Sequence, residues 1–125
     1  MASPPSVSKP GLRKSKPKDQ RIQKILSTFP EGKEFLFYNS LEEFTGQKAT
    51  SLADFVNKLE RIDLRSINFH QARKDFETWI RDVAGDPELA LKLDRIDKCL
   101  QGEALRVEIL RQLRLRLKEF QVTLP

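Results

Sequence analysis

Apolar residues recur at intervals of three and four along most of this chain, the spacing that places them on one face of a helix. The clearest run is Phe69 to Val83, where Phe69, Ala72, Phe76, Ile80 and Val83, with Trp79 beside them, form one wide stripe. Lys74, Asp75, Glu77, Thr78, Arg81 and Asp82 fall outside it. This pattern predicts a central core helix that ends at Gly85, a residue suited to the left-handed closing conformation. Asp86-Pro87 then reads as the cap and first position of the next helix.

The same reading yields further short helices on either side. Asp19 caps one in which Ile22, Ile25, Leu26 and Phe29 share a face, ended by Pro30 to Gly32. Thr50-Ser51 with Asp54 three residues on approximates a capping box, followed by Leu52, Phe55, Val56, Leu59 and Ile62 on a core face. Either Asp63 or Ser66 caps the central helix. After Pro87, Leu89, Leu93, Ile96 and Leu100 make another amphipathic helix, broken near Gly102. A last helix from about Glu103 to Phe120 buries Leu105, Ile109, Leu110, Leu113, Leu117 and Phe120.

One segment breaks the helical period. From Glu34 to Asn39, Phe35 and Phe37 alternate with Leu36 and Tyr38. No second alternating run is present to pair with it, and a lone strand is unstable in water, so it reads as an extended aromatic stretch lying across helices. Asn39 or Ser40 then starts a brief helix through Leu41 and Phe44 that stops at Thr45-Gly46. The expected fold is all-α, a compact bundle of about five short amphipathic helices over residues 19–125. Phe55, Phe69, Phe76, Trp79 and Ile80 are its expected core anchors. Nine of the ten aromatic residues lie between Phe29 and Trp79, which gives the core an aromatic front half and an aliphatic back half.

Charge changes the picture only at the N-terminus. Residues 1–18 hold five of the 23 basic side chains, Lys9, Arg13, Lys14, Lys16 and Lys18, and none of the 18 acidic ones, so the remainder is balanced. With four prolines and four serines and few large apolar groups, this stretch cannot offset the entropy of ordering and reads as a disordered basic tail. It serves either as a phosphate-docking arm or as a solubilising leader with a weak likeness to a transit peptide. One cysteine, Cys99, and one histidine, His70, cannot supply a four-ligand zinc site, so neither metal nor cofactor is expected, and Cys99 reads as a small helix-packing residue. No apolar run is long enough to span a bilayer and no apolar signal region opens the chain, which points to the cytoplasm and away from membranes.

The series FLFYNSLEEFTGQKATSLADFVNKLERID, then SINFH and RKDFETWIRDVAGDPELA, with a closing leucine-arginine helix, resembles the uncharacterised prokaryotic family catalogued as domain of unknown function 5752. TGQKATSL, Phe69-His70, Asp75-Phe76 with Trp79, and Gly85-Asp86 are its specific pieces. The resemblance covers about Glu34 to Phe120 and implies a small, mostly helical prokaryotic domain without an assigned activity or catalytic residue.

Candidate chemistry is sparse. His70 with Asp75 and Glu77 has the makings of a general base and its orienting carboxylate, but in a continuous helix His70 shares the polar side with Lys74 and Arg81, and no nucleophile accompanies it. No catalytic residue is assigned. On the last helix Arg111, Arg114 and Lys118 line up opposite the apolar face and, with the basic arm, form a candidate phosphate-contacting surface. A helix-turn-helix drawn from Leu52 to Phe76 lacks the turn glycine and donors at the start of its second helix. Val107 and Leu115 lie off the core face and form a candidate interface, for an unknown protein partner or for self-association, together with any uncovered part of Glu34 to Asn39. The ranking that follows places a non-catalytic helical binding or adaptor domain first, nucleic-acid binding through the arm second and an enzyme last.

Overall fold

The computed structural model describes residues 17–123. Helix α1, Pro17–Leu26, buries Ile22 and Ile25. Asp19 lies inside its first turn, where a carboxylate complements the positive helix end, instead of at the cap. Phe29 continues the buried face beyond the helix, its amide donating to the Thr50 carbonyl at 2.8 Å.

The next segment overturns the all-α expectation. Phe35–Ser40 (β1) and Glu43–Ala49 (β2) pair as an antiparallel hairpin around Leu41 and Glu42, so the fold is mixed α/β. Phe35 and Phe37 point into the core from β1, as their alternation foretold, whereas on β2 only Ala49 is buried. A strand whose two faces are both largely polar carries no period-two signal, which is why its partner was invisible. The register is also irregular. Between the pairs Leu36/Lys48 and Tyr38/Phe44, β2 takes four steps against two on β1. The slack is a bulge, and within it Gly46 adopts a left-handed φ of 85°. Thr45 spans this bulge, its hydroxyl donating to Phe37 O at 2.8 Å and accepting from the Gln47 amide at 3.1 Å. The brief helix expected through Leu41 and Phe44 is therefore absent.

Helix α2, Leu52–Leu59, starts as its capping signal indicates: the Ser51 hydroxyl accepts from the Asp54 amide, and Asp54 accepts in return from the Thr50 amide. The central helix is two helices. Asp63 caps α3, Leu64–Ala72, and α4 runs Asp75–Trp79 and widens into a π turn over Ile80–Ala84. The break falls at Lys74, whose φ is 64°. That is the left-handed conformation that closes a helix, reached here without a glycine to announce it. The break rotates the stripe. Phe76, Trp79 and Ile80 are buried as expected, but Phe69 is only half-buried and Ala72 is exposed, while Ile67, Ser66 and His70 face inward in their place. Gly85, at φ 81°, ends the π turn.

Asp86 caps α5, Pro87–Asp94, which stops before Ile96 and Leu100. Cys99 sits exposed in the connecting turn and packs no helix. Helix α6, Gly102–Thr123, lays Leu105, Ile109, Leu110, Leu113 and Phe120 against α3 and α5. Six α-helices and one two-stranded sheet thus enclose a single core among the described residues. No helix among them is long and apolar enough to cross a membrane.

Candidate functional site

His70 sits where β1, α3 and α4 meet, only 3% exposed and ringed by aromatic side chains: Phe35, Phe69 and Phe76 have ring centroids 4.8, 5.0 and 5.4 Å away. Both ring nitrogens are engaged. Nε2 accepts from the Tyr38 amide at 2.8 Å. The proton is therefore on Nδ1, which donates to Asp75 Oδ2 at 2.8 Å. Asp75 accepts in addition from Arg73 Nε at 3.0 Å, and the Arg73 guanidinium lies over the Phe69 ring. Burial pushes the His70 imidazole below its ordinary range; the Asp75 carboxylate opposes that shift without reversing it. Read as one unbroken helix, the sequence puts this side chain on a solvated face. The bend at Lys74 turns it inward.

A general base needs a nitrogen lone pair facing a substrate, and here that lone pair is spent on a strand amide. His70 instead fixes the free edge of β1 to the two helices. Trp79 does the same for the preceding loop, Nε1 donating to Lys33 O at 2.8 Å.

Above this floor lies a groove of about 550 Å³ between β1 on one side and α3 and α4 on the other. Leu36, Tyr38, Leu41, Phe69 and Val83 give it an apolar lining. Leu36 is 42% and Leu41 71% exposed, and Phe44 beyond them packs its ring on Tyr38 while remaining 48% exposed. Three carboxylates, Glu34, Asp75 and Asp82, stand on the rim. Glu34 is held below the usual carboxylate range first by its own amide and then, against the opposing effect of burial, by the Gly32 amide and Lys48. No cluster of metal-ligating side chains occurs among the described residues.

The residues singled out from sequence lie elsewhere. Lys9, Arg13, Lys14 and Lys16 fall outside the described residues, as does most of the stretch expected to be disordered; Lys18 is in the first turn of α1, beside a cleft it shares with Arg21 and Arg116. On α6, Arg111 is held by Glu108 at 2.7 Å and Arg114 by Glu60, so two of the three cations of the basic ridge are neutralised locally; Lys118 is exposed. Val107 and Leu115 are exposed on α6, distant in sequence and element from the groove. Of the interface expectation, the aromatic segment Glu34 to Asn39 is the part that meets the groove.

One buried pair had no sequence signal. Arg116, in the middle of the polar and leucine alternation of α6, donates from Nε and Nη2 to the two oxygens of Asp86 at 2.9 and 3.0 Å and from Nη1 to Glu119 at 2.9 Å. Asp86 is fully buried and at the same time caps α5 through the Leu89 amide at 3.1 Å. Burial would lower the Arg116 guanidinium, but its hydrogen bonds to Asp86 and Glu119 outweigh this and hold it above the ordinary value. The fork-on-carboxylate geometry locks the start of α5 to the last turns of α6.

These features define a small mixed α/β domain with an apolar, carboxylate-rimmed groove. The chain matches no protein-family model, no curated protein and no solved structure. The groove is accordingly read from its geometry.

Proposed function

We propose that the protein is a non-catalytic binding domain that takes an extended polypeptide segment in the groove between β1 and the α3–α4 bend. The carrying observation is the exposed apolar surface there: Leu36 and Leu41 line the groove from one hairpin and continue into half-buried Tyr38 and Phe69, while Phe44 packs on Tyr38 outside it. Contiguous exposed apolar surface of this kind marks binding sites, whereas single surface leucines such as Leu115 need no explanation. The use of both His70 nitrogens in structural hydrogen bonds supports binding over catalysis. The pairing of Arg111 and Arg114 with glutamates weighs against α6 as a phosphate-contacting ridge.

Selection from a displayed random-peptide library with the full chain tests this reading. Selected peptides are expected to bind Leu36→Glu and Leu41→Glu about tenfold or more weakly, equivalent to about 1.4 kcal/mol. Peptides that bind both variants as well as the parent, or that perturb amides near Val107 and Leu115 instead, contradict it.

A further inference from the structure

We propose that the groove is occupied in cis by the chain's own basic segment, residues 1–16. This rests on reading the groove as a site for extended polypeptide, and it names the occupant. Three observations converge. The first is charge: residues 1–16 carry Lys9, Arg13, Lys14 and Lys16 and no acid, while the rim presents Glu34, Asp75 and Asp82 against a single guanidinium, Arg73, already engaged by Asp75 and lying over Phe69. Lys48 lies at 4.0 Å from the largely covered Glu34, whereas Arg81 meets Asp82 as an exposed surface pair, which an incoming cation exchanges at little cost.

The second is reach. The segment is tethered at Pro17, the first residue of α1, and α1 packs on the Ile80–Ala84 turn that supplies Asp82 and Val83 to the groove wall. Helix α1 is about 15 Å long. The seven residues from Pro17 back to Pro10 extend to roughly 23 Å and the whole segment to roughly 50 Å, so the part before Pro10 clears the length of α1. The hollow beside the tether mixes Lys18, Arg21 and Arg116 with Glu88 and Glu119, and the hollow beside β2 mixes Glu43, Glu60 and Asp63 with Lys58 and Arg61, so neither matches the acid excess of the groove.

The third is chemistry. Pro4, Pro5 and Pro10 bias the segment towards the extended, internally unbonded conformation that aromatic-lined grooves accept at low entropic cost, and Leu12 supplies a large apolar side chain among the cations. Tethering raises the local concentration, so a weak contact suffices.

A nitroxide at Ser8→Cys in a Cys99→Ser background, on otherwise full-length nitrogen-15-labelled protein, tests the proposal. At low ionic strength the amides of Leu36, Thr78, Asp82 and Val83 are expected to lose most of their intensity relative to the reduced label. They should regain it severalfold in high salt and in Asp82→Lys. Undiminished groove signals, broadening spread evenly over the surface, or broadening passed in a mixed sample to nitrogen-15-labelled copies that carry no nitroxide would each overturn docking in cis. If library peptides shift the groove signals while the nitroxide leaves them intact, this inference fails and the groove reading stands; if neither touches the groove, both fail.

Discussion

Around His70 the core is aromatic and its buried polar group is held neutral, with each nitrogen matched to one partner. Around Arg116 the core is mainly aliphatic, with Phe120 beneath the guanidinium, and its buried polar group is a charged fork on a carboxylate. The two arrangements carry different risks. A neutral imidazole costs little to bury but loses its acceptor role when protonated, so the hairpin end is sensitive to acid. A buried ion pair does not titrate near neutrality, but removing either member strands the other. The apolar groove lies at the first end, where the hairpin edge meets the bend at Lys74, whereas α5 and α6 are locked.

The largest effect should come from breaking the lock. Arg116→Met leaves Asp86 charged and buried, and urea unfolding is expected to show a loss of about 3–5 kcal/mol. Asp86→Asn added to Arg116→Met should recover part of that loss, and a double variant no better than Arg116→Met would mean that the pair is not the lock. At the other end, Phe76→Ala removes a fully buried ring from the centre of the aromatic cluster. It should cost about 3–5 kcal/mol by the same measurement, and a loss below about 1 kcal/mol would contradict the packing.

Smaller effects sharpen the contrast. Because the folded His70 is held below the ordinary histidine value near 6.5, the unfolded chain takes up the proton first as pH falls. The stability this ring contributes is therefore complete above about pH 6.5 and declines as pH drops, by at most about 1.4 kcal/mol per pH unit, until the folded ring is also protonated. His70→Phe should be less stable than the parent at about pH 7 by about 1–3 kcal/mol, since it leaves the Tyr38 amide without its acceptor, and the difference between the two should shrink as pH falls below about 6.5. A constant difference across that window would show that the imidazole is not buried neutral. The smallest expected change is a gain at Lys74, which holds the left-handed backbone without being glycine. Lys74→Gly should stabilise by about 0.5 kcal/mol in urea unfolding, the relief of the strained backbone less glycine's entropic cost.

The helices with chemical punctuation were readable. Ser51 with Asp54, Asp86 with Pro87, and Gly85 each do in the structure what their residue types indicate. So was the division of the core, since aromatic and aliphatic residues are segregated along the chain. What stayed hidden depended on three-dimensional partners. Strand β2 has almost nothing to bury, so no alternation betrays it. Lys74 closes α3 in a conformation usually left to glycine, and the unbroken apolar period across it made two helices look like one. His70 and Arg116 look like surface residues in one dimension because their partners, the Tyr38 amide and Asp86, are brought to them by the fold. The groove was half legible: the Glu34 to Asn39 segment stands out in the sequence, but its opposite wall follows from the unseen bend.

The most direct test of the aromatic hub beneath the groove is a long-range proton–nitrogen correlation of the His70 ring in the full-length protein, followed from about pH 7.5 downward. The expected result is a single tautomer with Nδ1 protonated and Nε2 a hydrogen-bonded acceptor, with no midpoint at the ordinary value near 6.5. A ring protonated on Nε2, or one titrating freely at that ordinary value, would contradict it.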